Sequence, residues 1–73
     1  MAIAAPVSIV DQVGRTAGLV WNVLDQSGPI SLAKLFKAVD APRDTVLMAA
    51  GWLAREEKIS IEERGRQRIV SLN

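Results

Sequence analysis

Three arginines alternate near the end of the chain, at Arg64, Arg66 and Arg68. Guanidinium groups spaced this way on an exposed hairpin tip can lie on phosphates or enter a minor groove. Arg43, Lys34 and Lys37 could extend such a contact, and Thr45 and Arg55 are the residues of the same region with side chains suited to base edges. The alternative is a solvated hairpin. Glu62 and Glu63 lower the charge over residues 62–68 to +1, and Glu63 could neutralise Arg68.

Other chemistries lack their residues. The 73 residues contain no His and no Cys, which removes an imidazole base, a thiol nucleophile, a disulfide framework and a zinc finger. Adjacent acids occur at Glu56-Glu57 and Glu62-Glu63, a pattern usual for a solvated face. There is no Gly-rich phosphate cradle and no metal-ligand spacing. We expect no catalysis, cofactor, metal or small-molecule substrate. The net charge of +1 is modest for a domain that wraps phosphate, but it is uneven. Residues 1–33 hold one base, Arg15, against Asp11 and Asp25, whereas residues 34–73 hold eight bases against six acids. An anionic partner would be met by the C-terminal half.

The elements that must carry these groups follow from hydrophobic period. Residues 1–7, ended by Pro6, are expected to be a flexible arm, and residues 8–73 a single domain. Ser8 is a plausible N-cap with Asp11 in the first turn. Val10, Val13, Ala17, Val20, Trp21 and Leu24 then recur at helical spacing over about sixteen residues, until Ser27-Gly28-Pro29 stops them. Ile30 is a short extended link. Ser31 caps a second helix whose apolar face is Leu32, Leu35, Phe36 and Val39, with Lys34 and Lys37 opposite. A third helix begins near Pro42, runs to about Glu57 and has Val46, Ala49, Ala50 and Leu53 as its core face.

After Lys58 the period falls from 3.6 to 2. A two-residue Gly65-Arg66 turn of type II′ sets Ile61 opposite Val70, Ile59 opposite Leu72 and Glu63 opposite Arg68. Three helices, the last two joined by a tight turn, followed by a hairpin, describe a mostly α, α+β winged helix-turn-helix.

Several stretches also resemble a known family. They are Val13-Gly14, Ala17-Gly18, Val20-Trp21 and Leu24; Ser31-Leu32 and Leu35; and Leu47-Met48-Ala49 through Gly51-Trp52-Leu53-Ala54-Arg55-Glu56 with Lys58-Ile59. The family is a small prokaryotic group of stand-alone winged helix-turn-helix proteins classed as a domain of unknown function. The likeness spans about residues 12–72, with Gly-Trp-Leu its most specific part. Where the family usually has Asp before the Lys, this chain has Glu57. The resemblance implies the winged-helix fold and carries over no catalytic or ligand residues.

The fold suggests duplex DNA as a partner by analogy. The third helix complicates this, because the face away from its core shows Asp44, Leu47, Met48, Gly51, Trp52 and Arg55. Trp52 could be core, packed under the wing beside Ile69, or an interface anchor, or a DNA contact. Leu19 and Val23 lie four apart on helix one, away from its core stripe. With Leu47, Met48 and Trp52 they form a candidate surface for a homodimer or another protein. Gly14 and Gly18 most simply allow a close crossing of helices one and three near Trp21. No basic leader precedes the apolar start, and the uncharged stretches fall short of the ~20 apolar residues of a membrane span. A cytoplasmic protein, acting without a membrane, is expected. Its two candidate roles are a dimeric DNA-binding regulator and a protein-interaction module without DNA binding.

Overall fold

The computed structural model describes residues 8–73, and the arm expected over residues 1–7 lies outside them. Helix α1 spans Ile9–Ser27. The Ser8 hydroxyl accepts from the Asp11 N–H at 3.1 Å, so the expected cap forms. At the other end Gly28, with φ +73°, donates its N–H to the Leu24 carbonyl at 2.9 Å. That left-handed backbone favours glycine and turns the chain out of the helix.

Strand β1, Ile30–Ser31, leads into α2, Leu32–Ala38. Ser31 serves both elements. It belongs to the strand, and its hydroxyl accepts from the Lys34 N–H at 3.2 Å to cap the helix. Helix α3, Arg43–Arg55, follows Pro42, and strands β2, Ile59–Arg64, and β3, Gln67–Leu72, complete the described chain. The helix stops before the expected Glu57. Glu57 adopts φ +61°, its N–H bonds the Ala54 carbonyl at 3.0 Å, and the Lys58 N–H bonds the Leu53 carbonyl at 2.9 Å. This crossed pair closes the last turn and releases the chain into β2.

The three strands form one antiparallel sheet in the order β1-β3-β2. The hairpin has the expected register, with Ile59 opposite Leu72, Ile61 opposite Val70 and Glu63 opposite Arg68. Gly65 has φ +61° and Arg66 does not share a positive φ, as a type II′ turn requires. The link at Ile30 is more than a connection. Ile30 pairs with Val70 and Ser31 with Ile69, so β3 lies in the middle of the sheet.

The core collects Val13, Ala17, Val20 and Leu24 of α1, Leu35 of α2, Val46, Ala49, Ala50 and Leu53 of α3, and Ile59 and Val70 of the sheet. The expected core face of α3 is therefore correct at all four positions. On α1 the stripe is shifted. Thr16 joins it, Val10 is 70% exposed and Trp21 41% exposed. Val23, expected on an outer surface, packs against the core instead. By the ~100° turn per residue of a helix, Val23 and Trp21 lie at similar angles on opposite sides of the stripe. The smaller side chain is half-buried against the core, and the larger lines an open groove.

Candidate nucleic-acid interface

The hairpin tip, the first turns of α2 and the head of α3 surround an open cleft of ≈ 320 Å³. Arg66 and Arg68 enter it from the wing, Arg43 from α3, and Leu32 and Phe36 form its wall on α2. Arg43 is thus brought by the fold to two wing arginines that lie more than twenty residues away in sequence. Arg43 is held in a particular way. Its guanidinium carbon lies 4.7 Å from the centroid of the Phe36 ring, a cation–π contact that fixes the charge without neutralising it. Phe36 is itself partly buried against the core, so the charged group rests on a packed side chain.

Glu63 is the acid of the cleft. It stands opposite Arg68 in the strand register, but the ion pair that forms at the wing joins Arg64 to Glu62 at 3.7 Å, with both side chains largely exposed. Exposed pairs of this kind contribute ~1 kcal/mol or less and are readily exchanged for another partner. Lys34 and Lys37 are exposed on α2, whose first turns wall the cleft. Arg55 is exposed at the far end of α3, roughly 18 Å along the helix axis from Arg43. Thr45, a candidate for base contact, is buried, with its hydroxyl donated to Asp44 Oδ1 at 3.4 Å. It has almost no surface to offer a base. The contact between Arg43 and Phe36 had no signal in the sequence beyond an aromatic residue on one helix and a cation on the next.

The solvent face of α3 is as expected. Leu47, Met48 and Trp52 are 51%, 43% and 42% exposed, and Asp44, Gly51 and Arg55 share the surface with them. Trp52 does not lie deep in the core. Its ring leans on α1, 3.6 Å from where a β-carbon on Gly14 would be, and its Nε1 donates to Glu56 Oε1 at 3.2 Å. What lies against Gly14 is the Trp52 side chain and not the α3 backbone, and Gly18 faces open space in the adjoining groove that Trp21 also lines. Leu19 is exposed on α1. Among the described residues no helix is long and apolar enough to cross a membrane.

A helix-turn-helix made by α2 and α3, resting on α1 and flanked by a β-hairpin, defines a winged-helix protein. The chain belongs to the winged helix-turn-helix domain family DUF2582, which it matches over residues 9–72. It is similar to the uncharacterized protein MJ1608 of Methanocaldococcus jannaschii, with 33% identity over 64 residues covering 84% of this chain and 90% of that one. Among solved structures it resembles BT2368 of Bacteroides thetaiotaomicron, with a TM-score of 0.75 and 34% identity, covering 84% of this chain and 74% of the other. It also resembles a HOP2 chain, from a protein whose DNA recognition and protein interaction domains are linked to homologous DNA pairing. That match has a TM-score of 0.69 and 27% identity, and covers 80% of this chain and 98% of that one.

Proposed function

We propose that the protein is a non-enzymatic, regulator-like DNA-binding module of the cytoplasm that works as a homodimer and holds duplex DNA by its phosphates. The observation that carries this reading is the convergence of Arg43, Arg66 and Arg68 on one open cleft, with Arg43 braced by Phe36. Lys34 and Lys37 on α2 add charge that a backbone could reach. The likeness to HOP2 supports DNA as the partner. The exposed face of α3 offers base edges one arginine, Arg55, and one repelling carboxylate, Asp44, so the module is expected to discriminate weakly among sequences.

Binding to random duplex DNA at graded salt tests this. Three arginine contacts give a log-log slope of roughly −2.7, and each of Lys34 and Lys37 that joins adds about 0.9 to its magnitude. Replacing Arg66 and Arg68 together by Ala should flatten the slope by about two units. No binding at low salt, or binding indifferent to that double change, would remove the DNA reading. The second reading, a winged helix that binds protein and not DNA, is favoured by one observation: the apolar side chains on the solvent face of α3. It would be left standing by that result.

A further inference from the structure

The solvent face of α3 runs Asp44, Leu47, Met48, Gly51, Trp52, Arg55. The run is self-complementary about a point midway between residues 49 and 50. Laid antiparallel on a second copy with a two-fold axis at that height, Leu47 meets Trp52, Met48 meets Gly51, and Asp44 meets Arg55. Each pair occurs twice, as an isologous contact requires. We propose that this face is a homodimer interface, formed by two α3 helices packed antiparallel. The proposal rests on the dimeric reading above and gives it a geometry.

Charge selects this arrangement. The acid stands at one end of the face and the base at the other, so antiparallel pairing joins opposite charges, whereas parallel pairing would put each acid beside its own copy. Shape agrees with charge. No atom lies within 4 Å of the position a β-carbon on Gly51 would take, so the glycine leaves a notch in the face, opposite the flexible Met48 of the other copy. Trp52 is ordered before any partner arrives. One side of its ring rests at Gly14, and its N–H is already satisfied by Glu56, so the remaining exposed ring carries no unmet donor into an interface. Pre-ordered aromatics of this kind are the usual anchors of association. The same face serves base reading poorly, having one Arg and one Asp around a block of apolar groups. Pairing α3 in this way leaves the Arg43 side chain, turned onto Phe36, free to face the cleft. A dimer would then present two clefts, related by the two-fold axis.

Sedimentation of the full chain from low to high micromolar concentration provides the test, with circular dichroism confirming that each variant is folded. The wild type should dimerise reversibly. Asp44→Lys and Arg55→Glu should each weaken self-association at least about tenfold, because like charges then face each other across the axis. The double variant should return to within about threefold of the wild type, a rescue that loss of a structural role would not produce. Gly51→Leu should weaken association by a similar factor by filling the notch, and it stands in if either charge variant is unfolded. A wild type that stays monomeric overturns both the dimeric reading and this geometry. A dimer indifferent to all four variants overturns the geometry alone. A monomer whose DNA affinity falls with Leu47→Ala and Trp52→Ala assigns the face to DNA and also overturns it, while the salt slope reports the cleft independently.

Discussion

Glu57 occupies a backbone conformation that a β-carbon resists. Its φ of +61° costs a non-glycine residue roughly 1–2 kcal/mol. The structure holds it there with the crossed hydrogen bonds that close α3 and with the Asn73 side chain, whose Nδ2 donates to the Glu57 carbonyl at 2.6 Å. Glu57→Gly should therefore raise stability by about 1 kcal/mol, read as a higher urea midpoint at unchanged slope. Asp, usual at this position in the family that the sequence resembles, enters left-handed backbone more readily than Glu because its short side chain can bond locally. Gly51 gives a prediction of two signs. Its surroundings are open, so Gly51→Ala should stabilise the helix by roughly 0.5–1 kcal/mol in melts at low concentration. The added methyl enters the notch facing Met48 of the second copy, so the same variant should dissociate more easily in sedimentation. A gain in both measurements would contradict the packing of α3 on itself.

Helices and hairpin were readable from sequence wherever a period or a cap carried the information. Ser8 and Ser31 cap as expected, α3 buries Val46, Ala49, Ala50 and Leu53, and the hairpin register holds at every expected pair. Two residues have no period, and Ile30–Ser31 could not be recognised as a strand because its partner lies on β3 and the link itself contains no alternation. Trp21 and Val23 went to the opposite sides from those expected because they flank the core stripe at similar angles, so the helical period alone does not decide which is buried; on the Trp21 side the Trp52 ring already rests at Gly14. The cleft was half visible. Its cations could be named from the sequence, but which of them meet depends on where the wing folds over α2, and that is a tertiary fact. Ser31 makes the element scale testable. Ser31→Ala removes the cap of a seven-residue helix and should cost about 1 kcal/mol in chemical denaturation. Ser8→Ala should cost less, since its exposed helix end can exchange the lost bond for water.

At the scale of the whole molecule, Val70 is the residue on which the two halves meet. It is fully buried, and it is paired with Ile30 on one side and Ile61 on the other. Val70→Ala should cost about 2 kcal/mol, combining the lost methyl groups with the cavity left between the sheet and the helices. For a chain of this size that is a large share of a total of roughly 4–11 kcal/mol. The transition should remain single and cooperative in thermal melts, because the sheet that Val70 centres is tied to all three helices through one core.

The central position of β3 has a consequence for how the protein comes into being. A ribosome makes Ile30 long before Val70 and Ser31 long before Ile69, yet these are the residues that pair. Until β3 is made the entry to α2 has no strand beside it, and the three helices lack the wall that Ile59 and Val70 supply. Nascent chains stalled before Ile69 should therefore be digested readily by protease. Protection should arise in one step once β3 has cleared the exit tunnel, so the fold waits for its central strand and is not built helix by helix.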